Sequence, residues 1–159
     1  FLELKKKYRG VVYKRREPMT YGEALSFLAS PKPETQIERE LARFLAFYPD
    51  LSPAMYLAYL REAFFGTADA GLRLTFDTDI RYREDAVDLS RGVYGRSLLL
   101  EGLVLLEIKT AGGMPLWLSK ILSEEKIFRT SFSKYGRAYE EICKEKITKQ
   151  ENSEEIRYA

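Results

Sequence analysis

The segment LRLTFDTDIRYRE, residues 72–84, carries the clearest pattern in the sequence. The odd positions are Arg73, Thr75, Asp77, Asp79, Arg81 and Arg83, and the even positions are Leu72, Leu74, Phe76, Thr78, Ile80 and Tyr82. Side chains of a strand point alternately to its two sides, so this alternation predicts a long strand with one apolar and one charged face. We expect Asp77 and Asp79 to be ion-pair partners of arginines rather than metal ligands.

Other regions repeat this pattern on a smaller scale. Residues 1–16 predict a hairpin around Tyr8-Arg9-Gly10, and residues 97–100 and 103–109 predict two more strands. The charged side chains with same-face spacing in these strands are Glu3, Lys5, Lys7, Lys14, Arg16, Glu107 and Lys109. The simplest interpretation is that they are the solvent face of an antiparallel sheet, with scattered ion pairs that contribute little.

The remaining segments predict helices. Residues 20–65 read as a helical insert that opens on a Thr20 and Glu23 capping box. The predicted helices cover residues 20–28, 34–47, 53–65, a segment from about 115, and about 131–146, with a solvated tail after the last. We assign the aromatic residues of the insert to the scaffold.

Composition limits the chemistry. The 159 residues include no histidine and one cysteine, Cys143, and the net charge is +2. Without histidine, His-based acid–base catalysis, Ser-His triads and most zinc sites are excluded, so an enzyme here depends on carboxylates, cations and a hard metal. A lone cysteine suits a reducing compartment, and the most apolar stretch, 98–108, is far shorter than the roughly 20 residues of a membrane-spanning helix. We therefore expect a single cytoplasmic domain.

The charged faces contain more cationic than anionic residues, and the predicted helices are apolar enough to need a sheet face to pack on. A barrel with apolar residues outside and charge inside satisfies both conditions, but its lumen needs a compensating ligand because buried unpaired cations are unfavourable. A polyanion with a divalent cation fits, since Lys and Arg bind phosphate oxygens and a Glu binds Mg²⁺ or Mn²⁺. Basic residues interleaved with carboxylates disfavour a nucleic-acid partner.

Six blocks of sequence, in order, carry a family resemblance. They are Phe1-Leu2-Glu3-Leu4-Lys5, Val12-Tyr13-Lys14-Arg15-Arg16, Arg73-Leu74-Thr75-Phe76-Asp77-Thr78-Asp79, Arg83-Glu84-Asp85, Leu106-Glu107-Ile108-Lys109 and Phe132-Ser133-Lys134-Tyr135-Gly136. Together they resemble the VTC polyphosphate polymerase domain of the triphosphate tunnel (CYTH-like) metalloenzymes. The resemblance implies an α+β fold, with an antiparallel β-barrel or tunnel, a charged lumen and flanking helices. Such tunnels have a strand before the first one seen here, and the sequence begins without Met, so we expect an N-terminally truncated domain that is inactive as an isolated fragment.

The resemblance also implies roles for individual residues. The implied catalytic residues are Lys5, Arg73, Arg83 and Lys134, the implied substrate-binding residues are Glu3, Lys14, Arg16 and Lys109, and the implied metal ligand is Glu107. Three of them have a plainer alternative: Lys14 and Arg16 as an exposed basic strand end, and Lys134 as a solvated helix lysine.

The implied function is polyphosphate polymerisation. The terminal phosphate of ATP passes to a growing polyphosphate chain in a basic tunnel, with Mn²⁺ or Mg²⁺ as cofactor and ATP, phosphate and polyphosphate as partners. Two alternatives stay open: a tripolyphosphate or nucleoside triphosphate hydrolase on the same fold, and a non-catalytic polyphosphate-binding module. The sequence leaves the oligomeric state open.

Overall fold

A computed structural model describes residues 1–155. In chain order the elements are β1 (Leu2–Tyr8), β2 (Val11–Glu17), α1 (Tyr21–Ala29), α2 (Gln36–Phe47), β3 (Tyr56–Phe65), β4 (Arg73–Arg83), β5 (Arg96–Ser97), β6 (Leu105–Lys109), α3 (Leu116–Glu124) and α4 (Lys134–Glu155), with a short 3₁₀ turn at Leu89–Arg91. The tail predicted after residue 146 is helical as far as Glu155, and the rest of that tail lies outside the described residues. The chain divides into two compact units, Phe1–Pro53 and Ala54–Ala159.

The first unit is the predicted hairpin with two helices on its apolar side. Leu4 of β1 is buried with Phe27 of α1 and Leu41 of α2. Both helices begin with a capping box, in which the threonine hydroxyl accepts from a backbone N–H and the glutamate accepts from the threonine N–H. The capping box predicted at Thr20 and Glu23 is therefore confirmed, as is the helix predicted for residues 34–47, which forms α2.

The charged side of the hairpin faces away from this core. Glu3 lies opposite Arg16, and Lys5 lies opposite Lys14. Leu4, between Glu3 and Lys5, points to the helices, so the charged residues occupy the other side of the strands. The shared charged face predicted from residues 1–16 is confirmed.

The second unit contains a four-stranded antiparallel sheet. Its order is β3-β4-β5, and β6 pairs with β4 beyond the end of β5. The buried core of the unit consists of Ile80, Tyr82, Leu98, Ala138 and Ile142. Helix α4 thus packs on one face of the central strand β4.

The helix predicted for residues 53–65 is wrong, because Tyr56–Phe65 forms strand β3. Its Leu, Ala, Glu and Arg residues, six of the ten, favour a helix locally. Pairing with β4 along almost its whole length overrides that preference, and the aromatic residues suit a strand. The helical insert therefore ends with α2.

Strand β4 contains a bulge at Asp79. Its register with β3 shifts between Ala58 and Leu60, where β4 has one residue more than its neighbour. Asp79 has φ of 46°, a left-handed conformation that Asp adopts more readily than most residues. The alternation predicted for residues 72–84 is interrupted at this point.

The bulge moves the second half of β4 to the other face. Asp77 lies opposite Arg61, and Tyr82 lies opposite Leu57. Arg61 and Leu57 share a side of β3, so Asp77 and Tyr82 share a side of the sheet. The prediction that all odd positions occupy one face is therefore wrong. One face has Arg73, Thr75, Asp77, Ile80 and Tyr82, and the other has Leu74, Phe76, Thr78, Arg81 and Arg83.

The fold is thus α+β, with antiparallel sheets and four α-helices in the described part of the chain. Residues 1–155 contain no closed barrel, so the tunnel stays a prediction. Among the described residues no helix combines the length and apolar character needed to cross a membrane.

Candidate functional site

Three strands of the second unit place charged residues in rows on one side of the sheet. Strand β4 supplies the middle of each row, between β3 and β6. The rows are Phe65-Arg73-Lys109, Ala63-Thr75-Glu107 and Arg61-Asp77-Leu105. Lys134, the first residue of α4, joins them through an ion pair with Asp77. We call this surface, from the three rows together with Lys134, the Asp77 face.

Asp77 is the most enclosed polar group of the Asp77 face, with its side chain 0% exposed. It accepts two hydrogen bonds from Arg61, from Nε to Oδ1 at 2.6 Å and from Nη2 to Oδ2 at 2.7 Å. The Lys134 ammonium lies 2.5 Å from Oδ2. The Arg61 hydrogen bonds are the largest influence that lowers the pKa of Asp77, and they raise that of Arg61. Asp77 and Arg61 are therefore both charged at neutral pH.

Glu107 and Lys109 lie along the same side of β6. Lys109 Nζ is 3.0 Å from Glu107 Oε1, and Arg61 Nη2 is 3.7 Å from Oε2. The Lys109 hydrogen bond is the main cause of the lowered pKa of Glu107. The Glu107 side chain is 41% exposed and stays ionised at neutral pH.

Arg73 and Thr75 are not satisfied within the described structure. Arg73 Nε and Thr75 Oγ1 are buried without a hydrogen-bond partner, and such groups are rare in native proteins. Arg73 also lies directly opposite Lys109, a cross-strand pair of like charge that destabilises a sheet by itself. An anion bound between Arg73 and Lys109 would relieve the repulsion of this pair.

Contacts with the sheet hold helix α4, whose first residue is Lys134, in place. Ala138 and Ile142 pack on the core strand β4, and the Tyr82 hydroxyl donates to Glu141 at 2.7 Å. Burial and this hydrogen bond raise the pKa of Tyr82 to about 12. The ion pairs Arg96–Glu145 and Lys146–Glu84 add tethers further along the helix.

The predicted residues of the first unit form a second charged surface on the hairpin. Arg16 pairs with Glu3, whose pKa the hydrogen bond lowers, and Lys14 Nζ is 3.9 Å from the same carboxylate. Lys5 lies opposite Lys14, so this surface also carries a cross-strand pair of like charge.

Arg83 lies apart from the other predicted residues of the second unit. It is 3% exposed and donates to the backbone carbonyls of Ala86, Asp88, Gly92 and Tyr94. Its guanidinium also stacks on Tyr56 and Tyr94. It holds the loop after β4 on the far side of the bulge, a geometry that disfavours the predicted catalytic role.

Sequence reasoning missed Arg61, because its segment was assigned to a helix. The signal was available: Tyr59, Arg61 and Ala63 alternate with Leu60, Glu62 and Phe64. Glu62 on the second face hid the polarity difference that identifies a half-buried strand. The structure places Arg61 at the centre of the Asp77 face.

A cleft of about 580 Å³ opens beside β6, and its lining includes Glu107, Arg129 and Lys134. The Asp77 face has four cations, Arg61, Arg73, Lys109 and Lys134, against two carboxylates, Asp77 and Glu107. Such a surface is complementary to a multiply charged anion. Fold and site together define an α+β protein whose antiparallel sheet presents a cation-rich face.

The family model of the VTC domain matches residues 1–143, and the chain belongs to this family. The resemblance drawn from the six sequence blocks is thereby confirmed, and the family is linked to polyphosphate metabolism. Searches of curated proteins and of solved structures gave no match.

Proposed function

We propose that the chain is a polyphosphate polymerase domain, which transfers the terminal phosphate of ATP to the end of a growing polyphosphate chain in the cytoplasm. The observation that carries the proposal is the Arg73–Lys109 pair, two opposed cations beside a buried Arg73 Nε and Thr75 Oγ1 without partners. Phosphates bound between Arg73 and Lys109 would offset the repulsion of this pair, and family membership supports the same substrate class.

Charge stabilisation is the main catalytic requirement of phosphoryl transfer. Negative charge is spread over the transferring phosphoryl oxygens, and fixed cations stabilise it without reorganisation. Arg61 and Lys134 are already fixed by Asp77, and Arg73 and Lys109 extend the cationic surface along the strands. The acceptor phosphate is itself the nucleophile, so the reaction needs no histidine base.

The proposed metal dependence rests on Glu107. No group of three acidic, His or Cys side chains within residues 1–155 forms a metal cage. Magnesium commonly uses one or two carboxylates and completes its coordination with substrate phosphates and water, so the single carboxylate of Glu107 would suffice once Lys109 and Arg61 turn from its oxygens to the phosphates. We therefore propose that Glu107 holds Mg²⁺ or Mn²⁺ together with the substrate, and that the ion neutralises phosphate charge.

The hairpin residues are proposed to bind phosphate as well. Lys5 has no ion pair among the described residues, and it faces Lys14 across the hairpin. A phosphate between these side chains would offset their repulsion, as on the Asp77 face. Glu3 would hold Arg16 and Lys14 in place.

Triphosphate hydrolysis is the second candidate function. The side chains of Glu107 and Lys109 are exposed enough to admit water beside a bound phosphate. Water would then replace the phosphate acceptor at the same cations.

The test is an assay of the full-length protein with ATP and Mn²⁺, read in parallel for chain products by gel and for free phosphate. Glu107→Gln should lower product formation about 100-fold or more, because it removes the proposed metal ligand. Glu62→Gln is the matched control. It makes the same change on β3, at a position on the side of the sheet opposite the Asp77 face, and should retain activity.

Long chains that disappear in Glu107→Gln support the polymerase. Free phosphate without chains identifies a triphosphatase. Neither product, with tripolyphosphate still bound, leaves a binding module and refutes the enzyme.

A further inference from the structure

Asp77 joins two elements that carry cations. Arg61 comes from β3 and Lys134 from the first turn of α4, and both bind the same fully buried carboxylate. Their own side chains remain 29% and 17% exposed, so part of each cation still faces solvent. The Asp77 carboxylate is therefore closed to solvent, whereas its two cationic partners are partly accessible to a ligand.

The position of Lys134 at the start of α4 is electrostatically unfavourable by itself. A cation in the first turn of a helix is disfavoured by the positive end of the helix dipole. Two contacts compensate: the carboxylate of Asp77, and the ring of Tyr59, whose centre lies 4.5 Å from Lys134 Nζ. The centre of the Tyr59 ring also lies 5.0 Å from the Arg61 guanidinium carbon, so the same ring and the same carboxylate contact both cations.

Two hydrogen bonds to Asp77 orient the guanidinium of Arg61. Nε and Nη2 are taken by Asp77, and the described structure gives Nη1 no hydrogen bond. The guanidinium is planar, so fixing two of its nitrogens fixes the direction of the remaining N–H groups.

We propose that Asp77 is a positioning residue for phosphate binding: it holds Arg61 and Lys134 in one fixed arrangement, from which their remaining N–H groups bind the same phosphate chain. The inference rests on the proposed function, because it assigns a role within that site. Asp77 itself does not touch the substrate.

A simpler role makes the opposite prediction. If Asp77 only balanced charge, it would compete with the substrate, and its neutralisation would leave a more positive face that binds anions more tightly. If Asp77 positions the cations, its neutralisation releases them and weakens binding. The sign of the change in affinity separates the two roles.

The experiment is calorimetric titration of the full-length protein with tripolyphosphate. Asp77→Asn should raise the dissociation constant about tenfold, the size expected when charged hydrogen-bond donors lose their alignment. Asp79→Asn is the matched control, since it removes the same charge two residues away, breaks an exposed pair with Arg81, and suits the left-handed backbone there. It should bind as tightly as wild type or slightly more tightly.

A double-mutant cycle with Lys134→Met tests whether Asp77 acts through its partner. If it does, Asp77→Asn should have a much smaller effect in the Lys134→Met background. Equal effects in both backgrounds would overturn the proposal, since a loss of general stability would add independently. Melting curves are recorded to show that each variant is folded at the titration temperature.

If Asp77→Asn does not fold, Asp77→Glu decides. It keeps the charge but moves the carboxylate by one methylene, so positioning predicts weaker binding and charge balance predicts wild-type binding. Wild-type protein that fails to bind tripolyphosphate would overturn the proposed function itself. Binding that is retained or strengthened in Asp77→Asn would overturn only the role of Asp77.

Discussion

Arg83 shows at the residue scale how a charged side chain in a matching sequence block can be structural. Four backbone carbonyls accept its hydrogen bonds, and Tyr56 and Tyr94 cover its faces, with centres 3.5 and 4.0 Å from the guanidinium carbon. Lysine cannot reproduce a planar fork between two rings. What Arg83 contributes is the shape of the loop after β4.

Arg83→Lys should therefore destabilise the protein by about 2–4 kcal/mol, because it removes the hydrogen bonds of a buried guanidinium to four backbone carbonyls and its stacking on two rings. The tripolyphosphate affinity of the folded protein should not change. Chemical denaturation measures the first quantity and calorimetry the second.

Arg81→Lys is the control for this prediction. Arg81 is on the same strand and face, but it forms a partly exposed pair with Asp79, so its replacement should change stability by less than about 1 kcal/mol. Arg83→Lys with normal stability and lost tripolyphosphate binding would restore the ligand role implied by the sequence resemblance.

At the scale of elements, the Asp79 bulge decides which residues of β4 meet. Strict alternation would have carried Arg81 and Arg83 to the Asp77 face. The extra residue instead brings Ile80 and Tyr82 there, where they form the core under α4. The bulge thus allows one strand to serve as a charged surface at one end and a helix-packing surface at the other.

The conformation of Asp79 gives a test of this bulge. Asp79→Gly should be nearly neutral, because glycine adopts positive φ freely. Asp79→Val should cost about 1–2 kcal/mol or more, since a β-branched residue is strained in the left-handed region. Thermal unfolding of both variants, beside Thr78→Val in the regular strand, measures the difference. Equal stability of the Gly and Val variants would show that β4 is not held in this conformation.

The same elements show what the sequence could predict. Strand β4, the hairpin and the helix caps follow from local rules, because two-residue alternation and capping boxes are local signals. The bulge arises from pairing with β3, and β3 is a strand because it pairs with β4. Neither feature can therefore be predicted from one segment alone. Arg61 was missed for that reason, whereas Asp77 was correctly assigned to an arginine ion pair.

At the scale of the whole molecule, the two compact units have cores of unequal strength. The unit Phe1–Pro53 buries Leu4, Phe27 and Leu41, a small core for its length. The second unit has its own buried cluster, a four-stranded sheet and α4 packed across it. Small domains bury a smaller fraction of their surface and are correspondingly marginal.

The chain from residue 54 onward should therefore fold without the first unit, whereas residues 1–53 alone should not. The larger piece is expected to unfold cooperatively on heating, because its core and sheet are complete within the unit. It should also bind tripolyphosphate, since every residue of the Asp77 face belongs to it. That binding should weaken as salt is added, because the contacts are ionic. A folded piece without tripolyphosphate affinity would mean that the hairpin cations, rather than the Asp77 face, provide the main phosphate contacts. An unfolded piece would mean that the core of the second unit depends on the first.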